Sequence, residues 1–335
     1  MAKPSQRVIG RGERVLPGAW RLRLPLPWPG VPHGNAWAIA AGDGVVLVDT
    51  GVHEPGSMGH LERALEQAGL RVEDVRLVVC THAHADHCGQ AAAIAERAGC
   101  EVWMHPRSEH LFRSAEDPQA VLARRMEVAR HSGVPEEPLR RWAERRGSSG
   151  PLVKLPLRVD RDLVPGVIVE TDLGSWHVIE TPGHAPSHVT LHQPERRLLL
   201  SGDHLLGRVS PYFELGWTED PVGEFLVGLD RVDAVDARLA LSGHGRPFSD
   251  VHGHVEANRA RIAGRLHDLR AVLAADGPLT AYEVAPRLFG DAFGEATGVW
   301  LFTKVLAYLQ HLEVLGDARR LEAADAEEAE RWAAT

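Results

Sequence analysis

The sequence predicts an α/β layered domain followed by a mostly helical segment. Three observations carry this. Apolar β-branched runs alternate with amphipathic helical patterns through the first hundred or so residues. A tight cluster of His and Asp sits in the loop between one such strand and the next helix. Three later apolar strands each end in a glycine-flanked His or Asp. Residues at strand ends meet at one edge of a sheet, where α/β folds place their sites.

In chain order, Leu alternates with Arg from Trp20 to Pro25, which suits an edge strand, and a Pro-rich loop follows from Pro25 to Pro32. Asn35–Ala40 and Gly44–Asp49 read as strands joined at a Gly42-Asp-Gly44 turn. Asp49 closes the second strand. It is either a turn or capping residue or a carboxylate bracing the loop that comes later. His60–Ala68 is an amphipathic helix stopped by Gly69. Leu77-Val-Val79 is a buried strand, Gln90–Ala98 a strong helix former ended by Gly99, and Glu101–His105 another strand.

Between that buried strand and helix lie His82, His84, Asp86 and His87, spelling H-x-H-x-D-H. Imidazole and carboxylate suit zinc and its first-row neighbours. His82 and His84 alternate and can aim at one ion. Adjacent Asp86 and His87 can turn toward a second, so that two ions share a water. The competing reading is a polar loop in a chain with 19 histidines; the strand-to-helix position favours metal. Cys88 adjoins the motif as a small packed residue. The three cysteines make no disulfide framework.

Residues 106–150 change character. Leu122–His131 and Pro138–Arg146 are charged helices broken at Gly133 and Pro135, with a loop or hinge at Gly147–Pro151. This helical insertion reads equally as a lid over the site or as a solvated excursion. Strands then return. Ser175–Glu180 ends in Thr181-Pro-Gly-His184, Glu195–Leu200 in Ser201-Gly-Asp-His204, and Arg238–Leu241 in Ser242-Gly-His-Gly245. Glycine permits the sharp turn and the close approach that a metal site needs.

H-x-H-x-D-H followed by His184, Asp203 and His244 at successive strand ends resembles the metallo-β-lactamase superfamily, across Asp49 to Gly245. The resemblance implies a four-layer αβ/βα sandwich with a dinuclear site at the sheet edge. In it His82, His84 and His184 hold one metal, Asp86, His87 and His244 the other, and Asp203 bridges. The cofactors would be two divalent ions, zinc in first place and iron or manganese as alternatives. Asp86 would also be catalytic, orienting a bridging hydroxide and shuttling its proton. Tyr212 and His204 are candidates for contact with substrate; His177, His188 and His192 have no assigned role.

The expected catalytic domain spans 1–254. Residues 255–335 show helices from Ala257, from a capping box at Thr280–Glu283, and over Gly298–Leu312, then a small wing at Leu315–Leu321 and a solvated acidic tail. This resembles the winged-helix domain appended to one branch of the superfamily. Its third helix offers only Lys304 as a cation, so packing against the catalytic domain is expected rather than reading of DNA.

A net charge of −9 disfavours nucleic acid as partner. No run approaches a membrane span, and the first ten residues lack the apolar segment of a signal peptide, so a cytoplasmic location is expected. The expected function is a binuclear hydrolase in which a metal-bridging hydroxide cleaves an acyl bond of a small or carrier-linked substrate. A thioester or lactone is favoured by a closer resemblance to the glyoxalase II-like branch, and a homodimer is admitted. The alternatives are an endoribonuclease on single-stranded RNA, a mono-iron dioxygenase, a β-lactamase, and a non-enzymatic DNA-binding regulator.

Overall fold

The computed structural model describes residues 9–28, 30–147, 152–294, 297–321 and 328–335. A seven-stranded sheet contains, in chain order, β1 (Arg11–Leu16), β2 (Ala19–Trp28), β3 (Val31–Ala41), β4 (Gly44–Val48), β5 (Val75–Val79), β6 (Glu101–Met104) and β7 (Arg161–Asp162). It is antiparallel up to β4 and parallel from there. Parallel neighbours need crossovers. Here these are α1 (Ser57–Glu66), the single turn α2 (Ala85–Cys88) with α3 (Ala91–Ala98), and an insertion of α4 (Glu109–Glu116), α5 (Pro118–His131) and α6 (Glu136–Gly147).

A six-stranded sheet holds β8 (Ile168–Thr171), β9 (Gly174–Glu180), β10 (Val189–Gln193), β11 (Leu198–Gly202), β12 (Leu239–Ser242) and β13 (Phe248–Ser249), with α7 (Pro221–Asp233) crossing from β11 to β12. The chain ends with α8 (Val251–Asp276), α9 (Ala281–Phe289), α10 (Gly298–Leu315) and the hairpin β14 (Ala318–Leu321)–β15 (Arg331–Ala334).

Three apolar layers account for the stacking. Trp37, Ile39, Val46 and Val48 of the first sheet meet Trp176, Val178, Leu191 and Leu200 of the second in the central core. The opposite faces of the same strands pack outward. Leu22, Ala36 and Leu47 meet Leu61 and Leu65 of α1 and Ile94 of α3. Leu199 and Ala240 meet Phe225 and Leu229 of α7 and Val255 and Ile262 of α8. Alternate residues along each strand thus fill different layers, as strand periodicity requires, and the result is an αβ/βα sandwich.

Two expectations change. The Pro25–Pro32 stretch is mostly strand, because the Leu22, Leu24, Leu26 alternation continues through the prolines into β2. That is tolerated because β1 pairs only with Ala19–Arg23, leaving Pro25 with a neighbour on one side, while Pro27 falls in the irregularity between the Pro25 and Trp28 pairs. The edge strand is β1. The expected acidic tail is also no terminus: the chain continues into β15, whose Trp332 is fully buried. Residues 322–327 of the acidic run, and 148–151 of the expected hinge, lie outside the described residues. The 254/255 division falls inside α8, a 26-residue helix whose first turn is capped by Asp250. The Thr280–Glu283 capping box forms as expected. No described helix is long and apolar enough to cross a membrane.

Candidate metal centre

Strand direction assembles the site. β9 and β11 are each antiparallel to β10, and β12 is parallel to β11, so β9, β11 and β12 end at the same edge. His184, Asp203 and His244 follow those three ends. Across the sandwich, β4 and β5 are parallel and deliver Asp49 and the His82–His87 loop to the same place.

The ring nitrogens His82 Nε2, His84 Nδ1 and His184 Nε2 converge, with His84 Nδ1 3.0 Å from the first and 3.1 Å from the last. Beside them, His244 Nε2 lies 3.2 Å from Asp86 Oδ2 and 3.2 Å from Asp203 Oδ2. His87 Nε2 lies 3.5 Å from Asp86 Oδ2 and 3.5 Å from Asp203 Oδ1. Asp203 Oδ2 also comes within 3.7 Å of His184 Nε2, so this carboxylate touches both groups of donors. Among the described residues, His82–His84–His184 and Asp86–His87–His244 each form a cluster able to hold a metal ion.

The groups behind these donors set which nitrogen faces inward. Asp49 sits at φ 62°, an unusual backbone conformation outside glycine. It accepts hydrogen bonds from His87 Nδ1, the Thr81 amide and the Thr81 hydroxyl. The Thr81 hydroxyl, having given its proton to Asp49, accepts from His82 Nδ1 at 3.0 Å. One buried carboxylate therefore fixes a ring in each cluster and leaves both Nε2 atoms directed inward. His244 Nδ1 donates to the His33 carbonyl. His188 donates from Nδ1 to Thr181 Oγ1 and accepts the Asp203 amide at Nε2, tying two strand-end loops together.

Burial pushes His82 well down and His184 to about 3, so both rings are neutral and keep a lone pair. Burial alone would raise Asp86 and Asp203. The nearby His87 and His244 outweigh it, and both carboxyls lie well below their ordinary range. Burial likewise opposes protonation of His244, but Asp203 and Asp86 raise it to about 10. A pocket that pulls this hard on a proton pulls on a cation. His87 Nε2 and Asp203 Oδ1, both buried, have no hydrogen-bond partner. The neutral rings of His82 and His184, two ionised carboxylates and these unmet atoms fit hard-to-borderline divalent ions.

Close approach depends on glycine at two places. A Cβ on Gly243 would overlap Asp203 Oδ1 and stand 2.7 Å from His87 Cε1. One on Gly202, at φ +48°, would stand 2.6 Å from His188 Nε2.

Tyr212 comes to the site, its ring 5.5 Å from His184 and 6.5 Å from His84. His204, expected to contact substrate, turns the other way: it is 1 % exposed, with its ring 4.3 Å from Phe225 in the layer beneath α7. The turn after β11 sends Asp203 to the edge and its neighbour inward. Cys88 is buried, and its thiol donates to the His84 carbonyl.

Two residues escaped the sequence reading. Glu214 accepts from His84 Nε2 at 3.1 Å, and His110 of α4 lies 3.7 Å from the same carboxylate. Burial opposes its ionisation, but His84 draws Glu214 down to about 2. Neither residue sits at a strand end or at ligand spacing. The available signals were an acid close after Tyr212 and a histidine at the start of the insertion. The insertion thus reaches the site wall through His110, which also faces Trp217.

A basic corner adjoins His244. Arg21, Arg23 and Arg246 lie close enough to act on one another, and burial with Arg23 and Arg21 pushes His33 to about 4.

Residues 29–244 match the profile of the Metallo-beta-lactamase superfamily. The chain belongs to that superfamily. It is a hydrolase by this membership and by its relatives. The probable metallo-hydrolase YqjP of Bacillus subtilis is 27% identical over 286 residues, covering 83% of this chain and 86% of that one. A hydroxyacylglutathione hydrolase of Acidiphilium cryptum is 25% identical over 285 residues, covering 83% and 93%. Among solved structures, a metallo-beta-lactamase family protein from Thermus thermophilus superposes with TM-score 0.80 at 31% identity, covering 96% of this chain and 100% of that one. A beta-lactamase domain protein from Burkholderia ambifaria gives 0.75 at 26% identity, covering 96% and 94%.

Proposed function

We propose that this member of the superfamily is a binuclear metal hydrolase that cleaves an acyl bond, a thioester or lactone, in a small or carrier-linked substrate. The observation that carries the reading is the reach of Asp203 to both donor clusters. His82, His84 and His184 would hold one ion and Asp86, His87 and His244 the other, with Asp203 shared and zinc the expected metal. Such ions, when bound, supply Lewis acidity that acidifies water and polarises a carbonyl. Asp49 and Glu214 hold the histidine tautomers, and Asp86 holds and returns the proton exchanged during hydrolysis. Tyr212, its ring 5.5 Å from His184, is the proposed neighbour of the substrate.

The hydroxyacylglutathione hydrolase relative supports the thioester choice, since its named substrate is an acyl group on a thiol. The net charge of −9 weighs against RNA. Presence of the full Asp86–His87–His244 cluster weighs against a single iron. The test is metal analysis of the purified protein alongside turnover of thioesters, lactones, β-lactams and short RNAs. Two equivalents of zinc with thioester or lactone hydrolysis is the expected result. One iron with oxygen consumption, or turnover confined to RNA or β-lactams, overturns it.

A further inference from the structure

Arg21 and Arg23 lie on the face of β2 that looks into the sandwich, between Leu22 and Leu24, which face α1. Two residues of β3, Asn35 and His33, explain where they lead. Asn35, opposite Arg23, donates through Nδ2 to the carbonyls of Ser242 and Gly245, residues close on either side of His244. Arg21 Nη1 donates to the same Gly245 carbonyl. His33 meets Arg23 Nη2 through its ring at 3.4 Å and His244 Nδ1 through its carbonyl at 3.3 Å. The guanidinium of Arg23 is thus one residue removed from a donor of the metal centre.

Its charge is unanswered. Arg21 is paired with Glu13. Among the described residues, Arg23 and Arg246 have no carboxylate partner, and Arg23 Nε is buried with no hydrogen-bond partner at all. Arg23 is half-buried and Arg246 exposed, so both cations stay open to an anion arriving from solvent. A guanidinium fork matches the two oxygens of a carboxylate or a phosphate.

We propose that Arg23, flanked by Arg21 and Arg246, is a subsite on the His244 side of the centre for an anionic group of the substrate. The substrates are then acyl compounds whose leaving or acyl portion carries a carboxylate or phosphate, rather than neutral esters. This inference rests on the acyl-hydrolase reading for its kinetic arm and stands apart from it in its binding arm.

The experiment compares acetyl thioesters of glutathione, coenzyme A and N-acetylcysteamine. These share one scissile bond and offer carboxylates, phosphates or no charge. The expected result for Arg23→Met is a fall in the ratio of kcat/KM, charged over neutral, on the order of 10- to 100-fold in at least one charged arm. The arm that falls identifies the anion. Calorimetry with the non-hydrolysable S-methylglutathione and S-methyl-coenzyme A reads the subsite without turnover, and the same arm loses affinity by a similar factor. Ratios and affinities that stay within about twofold of wild type in both arms overturn the proposal. If no thioester is hydrolysed while thioether binding still depends on Arg23, the acyl reading fails and the subsite stands. If Arg23→Met does not fold, Arg246→Ala on the loop after β12 gives the same comparison. A loss of about threefold or more supports the subsite, and no loss overturns it.

Discussion

Asp49 joins the two donor clusters, because its carboxylate reaches His87 directly and His82 through the Thr81 hydroxyl. Substituting Asp49→Ala frees both rings to rotate. It should weaken metal binding on the order of 10- to 100-fold, as loss of such hydrogen-bonded support does elsewhere, measured by competition with a chromogenic chelator. Unchanged affinity would show that the rings are held by packing alone. Gly243→Ala acts through space instead of charge. The added methyl collides with Asp203 Oδ1, so stoichiometric metal uptake should fail while the circular dichroism spectrum stays folded. Much of this was legible in the chain: seven of the converging residues lie at strand ends beside glycine or in one dense motif. Glu214 and His110 were not, because each reaches the site through a coil or an insertion whose path has no sequence period. His204 misled because adjacency to Asp203 says nothing of which way a turn points.

Elements hold the loops that carry those residues. The stretch from β11 to α7 bears Tyr212 and Glu214, and α10 grips it at two points. Tyr308 packs edge-on against Phe213 at 5.5 Å, and His311 Nδ1 lies 2.9 Å from Asp220, which also caps α7 through the Gly223 amide. Asp220→Ala removes cap and partner together and should cost about 1–2 kcal/mol, read from urea midpoints. Burial would raise the Asp220 pKa, but hydrogen bonds from His311 and Gly223 outweigh it and hold it below its ordinary 3.8. For a depressed carboxylate the stabilisation is complete above the ordinary value and lost as pH falls through the folded one. The gap between wild type and variant should therefore be flat from neutral pH down to about 3.8 and narrow below it. A gap that persists in stronger acid would refute the ionic part. This coupling was hidden in the sequence, since Asp220-Pro221 reads as a helix start but says nothing of a partner 91 residues away.

At the scale of the whole molecule, the division into a catalytic part and a C-terminal helical part does not correspond to two cores. Leu199 and Ala240 of the second sheet, Phe225, Leu229 and Val232 of α7, Val255 and Ile262 of α8, and Leu309 and Leu312 of α10 belong to one cluster of buried side chains. Trp332 of β15 closes it, pairing with Leu279 through the backbone. The sequence announced the helices but not this continuity, because an apolar helix face does not name what it covers. Cooperative unfolding follows from a shared core. Calorimetry should give one endotherm for the full chain, and deleting residues 255–335 should strip α7 and the second sheet of their cover and yield insoluble protein. Two separated endotherms, or a soluble truncation that still binds metal, would show that the parts fold independently. Metal acts on the same single transition. Ions that bind only the folded chain stabilise it by about 2.7 kcal/mol at a hundredfold excess over Kd, so chelation should lower the one melting temperature by a few degrees without splitting the peak.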